Sequence, residues 1–374
     1  MKILHFTLGT VSLDSSNGVN QIIHGLAKYG NRENNVYIEV ISFKKNLLTK
    51  YKVYQRDGFK VTAYNNFFKI LEYIYRKKNE IDIIHLHNAW SFKNLLIFYF
   101  SKILNISTVL SIHGSLSKDR ILNNKFYLKK IFHLFFQRTY FNNVDVVHCN
   151  TKTEKLQFRY HSKNKSICIL TNGVDVESLN EEIKKLKIKK VNKKIIIGSI
   201  GRLSKEKNFE SLIHAIDLLD ENLKKLIEVH IIGKIDSYGS ELVTLTKKLK
   251  LQKIIKFLNE LHGRERNQKL FNFDLYVQCS YSEGASIALR EAMFFSKSLI
   301  VSSSCNIDDI KDENFIIVTS TSPKSISNGI KKALLMNFDF IGKGYEAQLY
   351  ALKQYNWRTI SLSMNNQYRS ILNR

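Results

Sequence analysis

A chain of 374 residues exceeds what a single hydrophobic core organises and matches two α/β domains of roughly 170–200 residues each. Its apolar fraction of 44% excludes a disordered chain, and no run reaches the 18 or so apolar residues of a membrane-spanning helix. The formal charge of +25 is concentrated early, with 26 basic against 10 acidic side chains in residues 1–170; it is compatible with a nucleic-acid partner, an anionic lipid surface or a compositional drift toward Lys, Asn and Ile, and alone decides no chemistry. The cysteines Cys149, Cys168, Cys279 and Cys305 are scattered and suggest neither a disulfide framework nor a metal cluster. Residues 2–6 enter a strand pattern directly, with no signal peptide visible, so the expected compartment is the cytoplasm.

In chain order, the apolar run 2–6 is followed by Gly9, a polar loop over 12–17, and Gly18, which opens an amphipathic helix through 29. Strand, loop, helix is the start of a doubly wound α/β unit, in which ligands meet the loops at the carboxyl ends of the strands. A strand over 36–43, a helix over 67–78, a strand over 81–87, a helix over 91–104 and a strand over 107–112 lead to His113-Gly114. An imidazole at a strand end beside a Gly turn is placed to meet a ligand. His85 and His87 read instead as structural residues of their strand.

Residues 123–143 interleave Phe, Tyr, Leu and Ile with Lys125, Lys129, Lys130, His133 and Arg138. The polar positions 125, 129, 133 and 137 have helical spacing and leave a broad aromatic face, which suits a helix packed on the sheet with one wet edge or a helix lying in a membrane interface. Strands over 144–149 and 167–170, with a helix over 152–160 between them, close the first domain; Thr171-Asn172-Gly173-Val174-Asp175 leads out of it, and the Lys-rich stretch that follows reads as a linker. The expected division is a first domain over 1–172, a linker over 173–193, a second domain over 194–350 and a closing helical segment over 351–374.

The second domain opens with a strand over 194–200, then Gly201-Arg202-Leu203-Ser204-Lys205-Glu206-Lys207 and a helix from 209. A Gly turn carrying Arg202 and Lys207 at a strand-to-helix junction suits a diphosphate; the plain reading is a solvated loop. Strands at 230–233, 254–258, 274–279, 299–303 and 315–318, with helices between, indicate a second parallel sheet. After the strand 275–279 comes a turn ending in Glu283-Gly284 and a helix over 285–295 that carries Glu291. Two helical turns advance about seven residues and side chains lean toward the helix N-terminus, so Glu291 points toward the mouth of the turn holding Glu283. The amides of Gly284, Ala285, Ser286 and Ile287, with the positive end of the helix dipole, suit a phosphate-bearing ligand. The alternative is a Glu283 that only complements the dipole and a Glu291 that is only solvated.

Glu283-Gly284 with Leu289 and Glu291-Ala292-Met293 resembles the Glu-x7-Glu signature of the retaining glycosyltransferases of family 4, which have the GT-B fold. Gly284-Ala285-Ser286 stands where that family has Gly-Phe-Gly. Gly201-Arg202-Leu203 with Lys207 resembles its Gly-Arg-Leu-x-x-x-Lys, Asn17-Gly18 its first Gly-Gly loop, His113-Gly114 its His-Gly, Asn172-Gly173-Val174-Asp175 its Asn-Gly-Val-Asp turn, and Trp357 the Trp at which its last helix crosses back to the first domain. The resemblance implies a GT-B architecture: two Rossmann-like doubly wound domains facing a cleft. It places Glu283 and His113 by the donor sugar, Glu291 on the nucleotide ribose, Arg202 and Lys207 on the diphosphate, and the backbone at Gly18 near the donor phosphate and the acceptor.

The function implied is retaining, metal-independent transfer of a hexosyl group from a nucleotide sugar, with a UDP-sugar ahead of a GDP-sugar, to a glycan or lipid-linked glycan in bacterial cell-surface polysaccharide or lipopolysaccharide assembly. No cofactor is expected, and no Asp-x-Asp metal motif occurs. The basic first half and the aromatic stretch 123–143 suggest a peripheral position on an anionic membrane surface. The rivals are a sugar-nucleotide hydrolase or epimerase on the same architecture, and a basic nucleic-acid-binding protein. The last lacks a recognisable readout motif, so no nucleic-acid partner is expected.

Overall fold

A computed structural model describes residues 1–9, 18–116, 136–186, 194–335 and 339–373. The chain divides into two units, one formed by Met1–Gly173 with Trp357–Arg374 and the other by Val174–Asn356.

In the first unit the elements run β1 (Lys2–Leu8), α1 (Gly18–Gly30), β2 (Tyr37–Phe43), β3 (Tyr51–Arg56), β4 (Phe59–Tyr64), α2 (Phe67–Arg76), β5 (Ile83–His87), α3 (Phe92–Ile103), β6 (Ser107–Ser111), α4 (Arg138–Asn143), β7 (Val146–Cys149), α5 (Lys152–His161) and β8 (Ile167–Ile169). The sheet order is β3-β4-β2-β1-β5-β6-β7-β8, with β3–β4 antiparallel and the other pairs parallel. The central strands are buried on both faces, as parallel strands covered by helices must be. Side chains close the helix starts: Asn66 accepts from the Phe68 amide at 2.9 Å, Ser91 from Asn94 at 3.2 Å and Thr151 from Glu154 at 3.1 Å.

The β3–β4 hairpin is absent from the sequence reading, although Asp57-Gly58 is the residue pair that a two-residue hairpin turn asks for. Both adopt positive φ, 44° and 88°. Of the aromatic helix expected over 123–143, residues up to 135 lie outside the described residues. Beyond them, Tyr140 and Phe141 of α4 are fully buried in the core with Phe98 and Phe158.

The second unit runs α6 (Val176–Ile183), β9 (Ile195–Ile200), α7 (Phe209–Asp217), α8 (Glu221–Leu226), β10 (Ile227–Ile232), α9 (Ser237–Lys248), β11 (Ile255–Phe257), α10 (Gly263–Phe271), β12 (Leu275–Gln278), α11 (Ile287–Phe294), β13 (Ser298–Ser302), β14 (Ile316–Thr319), α12 (Pro323–Leu335) and α13 (Phe340–Gln354). Its sheet, β11-β10-β9-β12-β13-β14, is parallel throughout. The helix α6 falls within the stretch expected as a linker: Asp175 caps it, accepting from the Ser178 amide at 3.0 Å, and Leu179 is buried in the core of this unit.

The closing helical segment expected over 351–374 falls on two helices. α13 belongs to the second unit and α14 (Trp357–Leu372) to the first. The chain leaves helical geometry because the Tyr355 carbonyl accepts from the Val174 amide at 2.6 Å and Asn356 bridges to Val174, while the Tyr355 hydroxyl donates to Asp309 at 2.5 Å. Within the first unit, Trp357 sits against two glycines. A Cβ on Gly25 would lie 2.3 Å from the indole, and one on Gly173 2.7 Å from it.

In each sheet the chain departs to opposite sides from one strand, between β1 and β5 in the first unit and between β9 and β12 in the second. Such switch points leave a crevice outside the strands' carboxyl ends. Gly25→Ala, though it favours the helix, is expected to destabilise the protein by about 1–3 kcal/mol by overpacking the Trp357 ring, read as a lowered urea midpoint. A midpoint equal to wild type would show that the ring yields.

Candidate active site

The turn after β9 is shaped by close backbone approach. Gly201 donates to the Ile232 carbonyl at 3.0 Å, and a Cβ on Gly233 would lie 2.1 Å from the Gly201 carbonyl oxygen, so a side chain at Gly233 would push the two turns apart. A short 3-10 turn, Lys205–Lys207, ends at Asn208, whose φ of 57° is left-handed, a region Asn tolerates better than most residues. The Asn208 amide group donates to the carbonyls of Cys279 at 3.0 Å and Thr321 at 2.9 Å, and the Tyr281 amide to the Glu206 carbonyl at 2.9 Å. These bonds fasten the turn after β9 to the one after β12.

Lys207 is thereby ion-paired with Glu283, the two side chains 22% and 11% exposed. The Ser280 hydroxyl donates to the same carboxylate at 2.9 Å, and Asn306 donates to the Glu283 backbone carbonyl. Arg202 lies on the same turn with its side chain exposed. Glu291, in the second turn of α11, pairs with Arg266 of α10, at 14% and 19% exposure. Burial disfavours the Arg266 charge, but Glu291 outweighs it, so the guanidinium is held above its ordinary pKa.

The helix after Glu283 starts two residues later than its spacing suggested. Ser286 is the N-cap: its hydroxyl oxygen accepts from the Leu289 amide at 3.3 Å while its proton goes to Gln278 at 2.8 Å. That use corrects the expected helical start at Ala285 and ties up the Ser286 hydroxyl in capping. Arg290, buried, donates to the Ser286 carbonyl at 3.1 Å and lies over the Tyr355 ring at 4.4 Å, holding this helix start against α13. Gly284 and Ala285 form the bend between Glu283 and the cap.

In the first unit, Gly18 is the exposed first residue of α1; its neighbour Asn17 and the loop 10–17 lie outside the described residues. His113 follows β6 with φ 48°, is 7% exposed, and precedes Gly114 at φ 67°. It is the end of an array. His113 Nε2 lies 2.8 Å from His87 Nδ1, and His87 Nε2 2.9 Å from His5 Nδ1. His5 Nε2 lies 3.2 Å from the Tyr368 hydroxyl, which lies 2.6 Å from His85 Nδ1. His85 Nε2 meets the Ser111 hydroxyl at 2.7 Å, that hydroxyl meets His148 Nδ1 at 2.6 Å, and His148 Nε2 meets the Leu170 carbonyl at 2.7 Å.

Burial lowers the pKa of all four inner histidines, to about 3 for His5 and about 4 for His148, and well below the ordinary value for His85 and His87; the neighbouring imidazoles add to the effect at His5, His85 and His87. One nitrogen each of His5, His85 and His87 falls within 4.8 Å of the others. In this structure these nitrogens serve one another and their neighbours: His5 and His87 are hydrogen-bonded at 2.9 Å, and His85 uses its two nitrogens on Tyr368 and Ser111.

With this geometry, the comparisons with known proteins are decisive. Residues 16–178 match the family described as Glycosyltransferase Family 4, and residues 180–347 the family described as Glycosyl transferases group 1. The chain belongs to the group 1, family 4 glycosyltransferases. An uncharacterized glycosyltransferase of Methanocaldococcus jannaschii is 27% identical over 296 residues, covering 75% of this chain and 73% of its own. Among solved structures, sucrose-phosphate synthase from Thermosynechococcus elongatus superposes with a TM-score of 0.78 at 15% identity, covering 100% of this chain and 99% of its own. The Anabaena protein HepE in complex with UDP and glucose gives 0.75 at 17% identity, covering 99% and 100%. The E. coli trehalose-6-phosphate protein bound with UDP-2-fluoro glucose gives 0.73 at 11%, covering 98% and 99%. The fold is GT-B, with two parallel-sheet α/β domains.

In this glycosyltransferase the sequence-selected residues Lys207, Glu283, Gly284, Ala285, Ser286 and Glu291, with Arg202 on its turn, all belong to the second unit and follow β9 and β12; Gly18 and His113 belong to the first. Sequence reading missed Arg266, which stands 25 residues from Glu291 on a helix with no motif of its own, and Asn208, whose left-handed turn ends the Gly-Arg-Leu stretch. It also missed the linking of the histidines.

Below pH about 6.5 the unfolded chain takes up protons that the four buried imidazoles refuse, so stability falls as pH drops from 6.5 toward their folded pKa values, about 3 for His5 and about 4 for His148. At pH 5 the loss is about 2 kcal/mol per fully neutral histidine. Urea midpoints compared at pH 7 and pH 5 should show it; equal midpoints would mean that the imidazoles ionise freely in the fold.

Proposed function

We propose that this glycosyltransferase moves a hexosyl group from a nucleoside-diphosphate sugar, UDP-linked ahead of GDP-linked, to a hydroxyl of a glycan or lipid-linked glycan, with retention of anomeric configuration and without a metal ion. The observation that carries the donor reading is the pair of ion pairs, Lys207–Glu283 and Arg266–Glu291, at the carboxyl ends of strands flanking the switch point of the second sheet. The UDP, glucose and UDP-2-fluoro glucose named for the structural neighbours support the choice of donor.

The proposed chemistry follows from charge. A departing diphosphate develops negative charge that must be offset where it forms. Lys207 and Arg202 provide that offset: Lys207 exchanges part of its contact with Glu283 for a phosphate oxygen. The released carboxylate edge of Glu283 then accepts hydrogen bonds from the sugar, with Ser280 still donating to it. Glu291, held by Arg266, accepts from the ribose. The backbone at Gly284 and Ala285 lies beside the sugar, and Ser286 supports it through the helix start. The leaving phosphate assists deprotonation of the incoming hydroxyl on the same face, so Glu283 orients the donor and no paired-carboxylate hydrolysis scheme is involved.

His113 is proposed to meet a substrate hydroxyl, and the backbone at Gly18 to approach the acceptor. The excess of cationic side chains in residues 1–170 supports an acceptor presented at an anionic membrane surface in cell-surface polysaccharide synthesis.

Thermal shift of the full chain should rise with UDP, less with GDP and least with ADP; no shift with any of them would remove the donor reading. Lys207→Ala is expected to slow transfer about 10²–10³-fold with the fold intact, and chelation by EDTA to leave turnover unchanged. Glu291→Ala should weaken nucleotide binding by about 1.5–3 kcal/mol, measured by titration calorimetry. Product formed equally well without acceptor would assign the protein to hydrolysis instead.

A further inference from the structure

Within one turn of α10, three polar side chains tie three parts of the second unit together. Arg264 donates to the Lys185 carbonyl at 2.9 Å, just past the end of α6, and Asn267 donates through Nδ2 to the Glu182 carboxylate of α6. Between them, Arg266 donates through Nη2 to Oε2 of Glu291 and through Nη1 to Oδ1 of Asn267 at 3.3 Å. Leu179 of α6 and Leu270 of α10 are buried in the same apolar cluster, so both helices are anchored in one core beneath these bonds.

Asn267 is 6% exposed, and only one orientation of its amide serves both neighbours. A carboxylate oxygen accepts and a guanidinium donates, so the NH2 must face Glu182 and the oxygen must face Arg266. Reversed, the amide would aim N–H groups at the guanidinium and an oxygen at a carboxylate, leaving buried partners unmet. Glu182 therefore fixes Asn267, and Asn267 engages a second edge of the Arg266 fork.

We propose that Glu182 and Asn267 are positioning residues of the donor site: they hold the Arg266 guanidinium in the orientation that engages one oxygen of Glu291 and leaves the other for a ribose hydroxyl. The inference rests on the proposed part of Glu291 as the ribose acceptor, and it gives α6, read from the sequence as linker, a part in nucleotide binding.

The charges support the assignment. Burial works against the Arg266 cation, and Glu291, Tyr276 and Glu182 together outweigh it, so the guanidinium stands between two carboxylates. An isolated Arg–Glu pair spends the carboxylate on its own cation. With Glu182 drawing on the same guanidinium, two anions share one cation, and Glu291 keeps its strength as an acceptor for a hydroxyl proton. Among the described residues, Oε1 of Glu291 accepts no hydrogen bond, while Oε2 is taken by Arg266.

The test is calorimetric binding of UDP, and of 2′,3′-dideoxy-UDP, which lacks both ribose hydroxyls, to the full chain at pH 7. The wild-type protein should bind UDP about 10–100-fold more tightly than the dideoxy compound. Asn267→Leu, close in size and unable to bond either neighbour, should lower UDP affinity about 3–10-fold and leave dideoxy-UDP affinity unchanged, so the ratio shrinks. A mere packing defect would weaken both nucleotides alike. Glu182→Ala, on the partly exposed α6, should shrink the ratio in the same direction and carries the test if Asn267→Leu does not fold. The wild-type ratio retained in the folded variants, or both affinities falling together, would overturn the inference and leave the donor reading standing. A wild-type protein that binds the two nucleotides equally would take Glu291 off the ribose and this inference with it; one that binds neither would remove the donor reading as well.

Discussion

A charge brought toward the carboxyl end of the second sheet must bring its counter-charge with it, and this requirement shapes the candidate donor site. Glu283 and Glu291 are each little exposed, and an unpaired carboxylate there would be costly to hold. Lys207 can reach Glu283 because Asn208 folds back to bond Cys279 and Thr321 and because the Tyr281 amide bonds the Glu206 carbonyl, which holds the turn after β9 against the turn after β12. Arg266 reaches Glu291 because α10 and α11 flank the same strand, β12. The cation that satisfies each carboxylate in the free protein is the kind of group a diphosphate would also seek. The resting ion pairs and a phosphate-binding arrangement are thus one construction under two loads.

The first unit meets the same problem of buried polarity in the opposite way. Instead of pairing charges it removes them. Five histidines on β1, β5, β7 and the end of β6 are joined through Ser111 and Tyr368, and burial keeps the inner four neutral. Every donor in the array then needs an acceptor, and the array ends on the Leu170 carbonyl. It makes α14 part of the first unit chemically as well as by packing, since Tyr368 is a link in it.

Both arrangements lie where the topology leaves room for them. In each sheet a strand beside the switch point carries polar groups at its carboxyl end: His87 at the end of β5 in one, Lys207 and Glu283 in the turns after β9 and β12 in the other. Parallel strands covered on both faces leave the turns at their carboxyl ends as the place where side chains can meet a ligand.

The alternation of strand and helix, the two parallel sheets, the Gly-Arg-Leu turn and the spacing from Glu283 to Glu291 were all legible in the sequence, because each is a relation between residues a few positions apart. The Asp57-Gly58 hairpin was legible by the same logic and lay unread. The start of α11 was misplaced because spacing places a helix face but does not say which hydroxyl, here Ser286, will be used to cap it. The long closing helix was misread as one because its break depends on Val174, far back in the chain. Arg266 with Glu291, Asn208 with Thr321, and the histidines strung from His148 to His113 were decided only by the tertiary structure. Their partners are distant in sequence, and neither the pairing of a charge nor the placing of a proton leaves a local periodicity to read.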